Sequence, residues 1–218
     1  MTKQELICYM NELAQLRPVF HSEADFQHEL GCLLKSKGHL VRLERPYYLA
    51  VPNFPNPIKV ELDVEVDGIV AIELKFKTTL CNTVVNGESF NLKDHSAPNL
   101  GRFDVVDDAR RVRNLVDHGP HKFGFSVLLT NSQYYWANDA QNTMSASFDL
   151  TNGRVFQIGQ MLNWTGDPRA NSVSQKRLEP YAPIAVQFNE TSLWNEYSEI
   201  EGVVNGEFKF LVLDVNNP

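Results

Sequence analysis

The chain has 218 residues, of which 43 % are hydrophobic and 22 % are charged, and its formal net charge is −7. This length fits one domain with a sizeable core over residues 1–218. The sequence contains no run of about 18 apolar residues, so we expect no membrane span. The acidic balance argues against a broad nucleic-acid-binding surface, which needs an excess of Lys and Arg, but it leaves room for local basic strips.

The cysteines and the N-terminus predict a compartment. Cys8, Cys32 and Cys81 are scattered, and no CxxC motif occurs. The N-terminus lacks the apolar core of a signal peptide. Sparse, odd-numbered cysteines without such a signal are typical of reduced thiols, so we expect a cytoplasmic protein.

Two helices are predicted before the first strand. Residues 2–17 carry one apolar stripe, and Thr2 with Glu5 fits a capping box. A second helix begins at Ser22 and stops at Gly38. A strand follows over residues 39–49, and a loop with three prolines follows over residues 52–58.

The next stretch predicts a β-hairpin. Apolar and acidic residues alternate from Val60 to Asp67, which is the pattern of a strand with one buried face. Asp67-Gly68 is a turn signal. The chain then returns as a second strand to Lys77, with apolar residues on one side and Ala71, Glu73, Lys75 and Lys77 on the other.

The register of this hairpin decides whether its charges meet. A two-residue turn would leave the Asp63 and Glu73 side chains on opposite faces. A three-residue loop that ends in a left-handed Gly68 changes the parity, sets Asp63 opposite Ala71 and leaves Glu73 diagonal to it on the same face. We predict this second arrangement, which brings Asp63, Glu73 and Lys75 onto one surface.

Two carboxylates and a lysine on one surface suit a divalent cation. Mg²⁺ takes carboxylate and carbonyl oxygens and keeps several waters. A bound cation lowers the pKa of a water and neutralises phosphoryl charge, and Lys75 would orient the water or stabilise the phosphate. Alternating charge is also the ordinary pattern of a solvated sheet face, and Glu–Lys neighbours are ordinary surface pairs, so both interpretations stay open.

A long loop and a helix are predicted after the hairpin. Residues 78–102 lack periodicity and read as a long loop, with Lys93, His95 and Arg102 as phosphate-binding candidates or as solvated loop residues. A helix is predicted over Phe103 to His118. The helix carries the best local basic strip, which is formed by Arg110, Arg111 and Arg113. A solvated helix face is the favoured interpretation of these arginines.

The last predicted elements are β-structure. Phe123 to Thr130 is a mostly apolar run, typical of a buried strand. Residues 148–157 and the segment after Asn205-Gly206 predict two hairpins. Three aromatic residues would pack this C-terminal part against the core or would line a base-stacking surface: Trp164, Trp194 and Tyr197.

The motif and the element order now resemble a known family. Asp63, nine residues and then Glu73-Leu74-Lys75 resemble the D…(D/E)xK signature of the PD-(D/E)XK nuclease superfamily, with Leu62 in place of the proline of the motif. The predicted order over about residues 22–130 resembles the αβββαβ core of this restriction-endonuclease-like fold. The resemblance implies an α/β fold with a mixed α+β sheet and a C-terminal β-rich extension over about residues 137–218.

The resemblance also implies roles for the hairpin residues. Asp63 and Glu73 would ligate Mg²⁺ or Mn²⁺ together with the Leu74 carbonyl, and Lys75 would orient the hydrolytic water. These residues form the expected catalytic and metal site.

A further acid is expected from the second helix. In the superfamily, the helix before the sheet often brings one to the metal site. Glu23 lies within the apolar stripe of this helix and is the candidate, with Glu29 at the edge of the stripe as the reserve. The helix dipole, which favours acids in a first turn, is an equally simple explanation of Glu23.

Three functional hypotheses follow. The first is a metal-dependent nuclease that hydrolyses phosphodiester bonds in nucleic acid, with DNA as the expected substrate and a homodimer left open. The second is a catalytically inactive protein of the same fold that serves as a binding or regulatory module, which the acidic balance favours. The third is a globular protein without metal chemistry, whose strand acids are solvated.

Overall fold

The computed structural model describes residues 1–50, 56–95, 97–137, 140–165 and 183–217. Most of the loop predicted at residues 52–58 therefore lies outside the described residues. Among the helices of the described ranges, none combines the length and the apolar character that a membrane crossing requires.

Three helices and twelve strands follow one another in the described residues. The helices are α1 (Lys3–Leu16), α2 (Glu23–Ser36) and α3 (Pro98–His118). The strands are β1 (Val41–Leu49), β2 (Ile58–Val66), β3 (Val70–Lys77), β4 (Cys81–Val85), β5 (Glu88–Leu92), β6 (Phe123–Thr130), β7 (Val155–Phe156), β8 (Met161–Leu162), β9 (Ile184–Ala185), β10 (Glu190–Thr191), β11 (Trp194–Glu199) and β12 (Glu207–Asp214).

One mixed sheet of six strands organises the fold. Its strand order is β1-β2-β3-β6-β12-β11. β3 and β6 are parallel, and α3 connects them, whereas the other neighbours are antiparallel. The prediction of a mixed α/β fold with a β-rich C-terminal part is confirmed. The order α2, β1, β2, β3, α3, β6 is also the predicted one, with the β4–β5 hairpin inserted before α3.

The helices cover both faces of this sheet. α1 and α2 enclose one core, in which Leu74 and Phe76 of β3 pack with Phe26. α3 encloses the other core, in which Ala71 of β3 packs with Val112. The predicted capping box of α1 is present, since Thr2 and Glu5 exchange side-chain-to-backbone hydrogen bonds. Because both faces are covered, β3 and β6 are buried along most of their length.

The prediction of a long loop over residues 78–102 is wrong. β4 and β5 form a hairpin there, and α3 begins at Pro98 rather than at Phe103. Asn86 and Gly87 form the turn, and both have positive φ angles, 52° and 81°. Asn-Gly is the preferred dipeptide of a two-residue hairpin turn, so the signal was present in the sequence.

The C-terminal third joins the main sheet. The segment after Asn205-Gly206 is β12, which pairs with β11 on one side and with β6 on the other. The hairpin predicted at residues 148–157 is wrong, because β7 pairs with β10 instead. The turn at Asn152 and Gly153 forms hydrogen bonds with Trp194 and Ser192, and these contacts tie it to the later chain.

The three aromatic residues of this region pack against the two cores. Tyr197 is buried in the core under α1 and α2. Trp164 and Trp194 are partly buried and pack against the core under α3. Core packing is therefore the role that the structure gives them, rather than an open stacking surface.

A buried polar network closes the turn end of β2. Glu65 is 2 % exposed and accepts hydrogen bonds from the Tyr47 hydroxyl and from Arg45 (3.0 Å), and its carboxylate lies 3.2 Å from His121 Nε2. Burial opposes the charged form of Glu65, but these partners outweigh it and lower the Glu65 pKa. The carboxylate therefore satisfies three polar groups at once.

We predict that Glu65→Ala lowers the free energy of unfolding by about 3–5 kcal/mol, because it leaves buried polar partners without their acceptor. Urea denaturation at pH 7 measures this change. Glu61→Ala is the matched control, four residues away on β2 and paired with Lys59 at the surface. We expect the control to change stability by less than about 0.5 kcal/mol, and equal effects of the two substitutions would contradict the role of the network.

Candidate active site

The β2–β3 hairpin has a different register from the predicted one. Val66 pairs with Val70, and Glu65, not Asp63, lies opposite Ala71. The loop has the predicted three residues but begins one residue later, at Asp67. Both Asp67 and Gly68 are left-handed, with φ of 54° and 70°, and aspartate tolerates this conformation better than most residues. The predicted register is therefore wrong by two residues.

An error of two residues preserves the face on which each side chain lies. The ladder between β2 and β3 ends at Val64 and Ile72, and the strands separate beyond this pair. The Asp63 carboxylate lies at the point of separation and accepts a hydrogen bond of 2.7 Å from the Leu74 N–H. A side chain thus takes the place of a strand-to-strand backbone bond.

β2 also twists sharply at Asp63. Leu62 packs in the core under α3, whereas Val64 packs in the core under α1 and α2. Residues two apart on a regular strand share one face, so the strand must rotate between them. Gln27 of α2 supports this irregularity, since its amide donates to the Asp63 carbonyl (2.8 Å) and to the Glu44 carboxylate (2.7 Å).

Glu73 lies beneath α3 and is 1 % exposed. Its carboxylate accepts a hydrogen bond of 3.1 Å from Arg111, which also donates to the Glu61 carbonyl at 3.1 Å. Arg111 donates to Asp108 as well, at 3.0 Å. The third hypothesis, in which the strand acids are solvated, is wrong for Glu73.

Lys75 faces the same helix. Its ammonium lies 2.8 Å from Asp108 and 4.0 Å from Glu23, and it donates to the Leu74 carbonyl at 3.1 Å. Burial opposes the charged form of Lys75, but the charges of Asp108 and Glu23 outweigh it and raise the Lys75 pKa. Lys75 is therefore a cation at neutral pH.

The structure brings Glu23 to the site and leaves Glu29 away from it. Glu23 begins α2, and its carboxylate accepts a hydrogen bond of 2.9 Å from the Phe76 N–H. Glu29 pairs with His28 at 3.4 Å instead. Glu23 thus contacts β3 directly, one strand position from Lys75.

Two of the other three phosphate-binding candidates have structural partners. His95 accepts a hydrogen bond of 2.9 Å from the Thr78 N–H. Arg102 lies in α3, is 2 % exposed and donates to Ser145 and to the Tyr134 carbonyl. The Lys93 side chain is exposed. Arg102 therefore supports the core rather than a loop.

The sequence interpretation missed the contribution of α3. The solvated helix face favoured for Arg111 is wrong, because Arg111 contacts Glu73 of β3. Asp108, which no prediction placed at the site, is 3 % exposed and contacts Lys75 of β3. Their spacing of three residues on one helix was visible, but the partner face was not. Arg110 and Arg113 also form ion pairs, with Asp107 and Asp117.

The site holds more negative than positive charge. Asp63, Glu73 and Asp108 meet Lys75 and Arg111, and Glu23 lies at the rim. Burial raises the Asp63 pKa to about 6, against the opposing effects of the Leu74 hydrogen bond and the Lys75 charge. Burial, followed by the charges of Asp108 and Asp63, raises the Glu73 pKa well above its usual value. A proton or an additional cation can balance this surplus.

The donor chemistry fits Mg²⁺ or Mn²⁺. Asp63 and Glu73 supply carboxylates and Leu74 supplies a carbonyl, which are the oxygen ligands that these ions take together with water. No group of three or more His, Cys, Asp or Glu side chains in the described ranges is arranged to hold a metal ion. The predicted set of metal ligands contains only two carboxylates, together with one backbone carbonyl. Metal binding by this set therefore stays a prediction.

Comparisons with known proteins add no relative to this picture. No protein-family model matches the chain, and neither the curated proteins nor the solved structures contain a significant match. The observations define a mixed α/β protein with a buried acid–cation cluster on β3. Its resemblance to the PD-(D/E)XK superfamily rests on the motif and on the element order.

We predict that Asp63 makes the metal-free protein less stable as the pH rises. Its folded pKa of about 6 exceeds the unfolded value of about 3.9, so the folded state binds more protons between these values and loses stability as the pH rises through them. Asp63→Asn keeps the acceptor for the Leu74 N–H and removes this loss. In EDTA, the variant should therefore gain about 1–3 kcal/mol relative to the wild type between pH 4 and pH 7.

Urea denaturation at both pH values measures this difference. Asp67→Asn is the control, because the His39 and Leu40 hydrogen bonds lower the Asp67 pKa from its ordinary value of 3.8, so this group titrates below the pH range of the experiment. Its effect on stability should therefore be nearly the same at pH 4 and at pH 7. An Asp63→Asn variant with the same pH profile as the wild type would show that Asp63 titrates normally.

Proposed function

We propose that the protein hydrolyses phosphodiester bonds in nucleic acid with Mg²⁺ or Mn²⁺, and that DNA is its substrate. One observation carries the proposal: two carboxylates with raised pKa values, Asp63 and Glu73, lie beside a charged Lys75 where β2 and β3 separate. Raised carboxylate pKa values beside a specific charge partner mark candidate functional sites.

Each residue has a chemical role in this proposal. Asp63, Glu73 and the Leu74 carbonyl would hold the metal ion, which when bound lowers the pKa of a water and neutralises phosphoryl charge. Lys75 keeps its proton and so can donate to an attacking water or to a phosphate oxygen. Glu23 accepts from the backbone of β3 and places a further carboxylate beside Lys75.

α3 supplies the internal counter-charges. Arg111 neutralises part of the Glu73 charge, and Asp108 fixes both Lys75 and Arg111. A cation bound at Glu73 would compete with Arg111 for the same carboxylate. Weak metal binding at low pH and tighter binding at neutral pH follow from the same charge balance.

A second candidate function is a catalytically inactive module of the same fold that binds a partner. The observation that favours it is the pairing of Glu73 with Arg111 and of Lys75 with Asp108. These ion pairs satisfy the two cations without any metal. An inactive module needs no metal affinity at Asp63 and Glu73, whereas the nuclease does, so metal binding distinguishes the two functions.

We predict Mg²⁺- or Mn²⁺-dependent cleavage of DNA that falls by at least about 10³-fold in Asp63→Asn and by at least about 10²-fold in Lys75→Met. Asp63→Asn removes a metal ligand, and Lys75→Met removes the donor to the water or phosphate. Gel assays on single- and double-stranded DNA and RNA, with each metal and with EDTA, measure the rates.

Lys77→Met is the matched control for Lys75→Met, because Lys77 lies two residues along β3 and pairs with Asp104 instead. It should keep the wild-type rate within about threefold. Circular dichroism checks that each variant is folded. A wild-type protein that cleaves none of these substrates, or variants as active as the wild type, would rule out the hydrolytic proposal.

Calorimetric titration with Mn²⁺ distinguishes the nuclease from the inactive module. We expect the nuclease to bind one Mn²⁺ with a Kd below about 1 mM, to release protons near pH 6 and to lose at least about tenfold in affinity in Asp63→Asn. Proton release follows because burial raises the Asp63 pKa to about 6. Absence of Mn²⁺ binding in the folded wild type would favour the inactive module.

A further inference from the structure

A pocket of about 370 Å³ lies beside Lys75, between the start of β2 and the exposed side of α3. This volume is at the lower end of the range for small-molecule sites. Lys75, Asp108 and Arg111 belong to both the pocket and the acid–cation cluster. A ligand in the pocket would therefore touch Lys75 of the proposed active site and the two α3 residues that hold the charge balance there.

The walls of the pocket are largely apolar on the sheet side. Leu49 of β1 and Ile58 and Val60 of β2 line it there, and α3 contributes the aromatic ring of Phe103. Such walls suit the faces of a flat, weakly hydrated group, because burying apolar surface is favourable and aromatic rings stack on one another.

Charged side chains of β2, β3 and α3 also belong to the pocket. Four cationic side chains and three aspartates line it, which leaves one net positive charge, although the whole chain carries −7. The cationic residues are Lys59, Lys75, Arg110 and Arg111. The residues that line the pocket therefore suit a ligand with an anionic group, which would compete there with Glu73 for Arg111 and with Asp108 for Lys75.

Asn114 is the polar group of the pocket that has no protein partner. It lies on α3 and is 6 % exposed, and no hydrogen bond joins its carboxamide to any group in the described ranges. The charged lining residues differ, since Asp107 pairs with Arg110 and Lys59 pairs with Glu61. The Asn114 carboxamide is therefore available to a ligand or to water.

We propose that this pocket is a nucleoside subsite, which takes the base of one unpaired nucleotide while the adjoining phosphate lies at Lys75 and Arg111. The apolar walls would hold the faces of the base. The Asn114 carboxamide offers a donor and an acceptor side by side, as base edges require. This assignment rests on the proposed function, and it makes single-stranded or locally unpaired nucleic acid the substrate class.

Base pairing explains why the subsite would select unpaired strands. A base inside a duplex cannot enter a closed pocket unless it leaves the stack, which costs a few kcal/mol, and the cost is smallest in single-stranded segments. A rival occupant is a small anionic ligand without a base, which the positive lining would also attract. Inorganic phosphate is the probe for that rival.

The test measures nucleotide binding without metal or cleavage. The full chain, in EDTA, is titrated with the four deoxynucleoside 5′-monophosphates and with inorganic phosphate, followed by calorimetry or by NMR line shifts. We expect saturable binding of at least one nucleotide below about 1 mM. We also expect binding at least tenfold weaker for phosphate alone.

Asn114→Leu should weaken nucleotide binding by at least about tenfold, because it removes the edge contacts while preserving side-chain size. Asn195→Leu, on the exposed edge strand β11, is the matched control and should bind like the wild type. Equal affinity of Asn114→Leu and wild type, no nucleotide binding, or phosphate binding as tight as any nucleotide would each overturn the subsite.

These outcomes separate the two proposals. Nucleotide binding in EDTA without any metal-dependent cleavage would sink the nuclease and keep the pocket. Cleavage with equal rates on single-stranded and fully paired DNA, and no nucleotide binding, would keep the nuclease and sink the subsite. Because the binding assay contains no metal, an inactive site cannot account for its failure.

Discussion

The charge balance beneath α3 is the constraint on which the rest of the site depends. Three carboxylates from β2, β3 and α3 meet two cations in a region that excludes most of the solvent. Desolvated charges that outnumber their partners are costly, so the site must take up a proton or a cation. The raised pKa values of Asp63 and Glu73 favour the uptake of a proton. The proposed metal ion would supply a cation instead.

The backbone creates this imbalance by separating two strands. β3 leaves β2 after Ile72 and continues beside β6 as a parallel neighbour. The separation leaves the Leu74 N–H free to donate to Asp63 and leaves the Phe76 N–H free to donate to Glu23. Two acids are thereby fixed along one strand by its own backbone. A continuous hairpin would have used these donors for strand pairing and would have left the acids without a fixed position.

The sequence predicted what local periodicity encodes. The capping box of α1 and the buried strand β6 are each set by neighbouring residues, and each is found. The alternation of β2 predicted a strand with one buried face, whereas the strand rotates at Asp63 and divides its apolar residues between two cores. The register of the hairpin was missed because Asp67, not only Gly68, adopts the left-handed conformation. The β4–β5 hairpin was missed because Asn86-Gly87 was read as one loop marker among many.

The contributions of α3 could not be predicted from local pattern. Asp108 and Arg111 look like any exposed pair three residues apart on a helix, and their burial depends on the distant strands that α3 covers. Gln27 is a similar case, because its two hydrogen bonds reach β1 and β2. These contacts join residues that are far apart in the sequence, so no local sequence pattern indicates them.

The same helix would reconcile an acidic chain with the anionic substrate that we propose. The net charge of −7 describes the field at a distance, whereas a phosphate in the pocket would meet the nearby lining. Salt screens charges that lie more than about 8–10 Å away, so the cationic side chains of β2, β3 and α3 that line the pocket, with their acidic partners, decide how a phosphate binds there. An acidic protein with such a pocket would bind nucleic acid weakly along its length and more strongly at one nucleotide. Selection of an unpaired site, rather than broad coating of a duplex, is the mode of recognition that this distribution of charge favours.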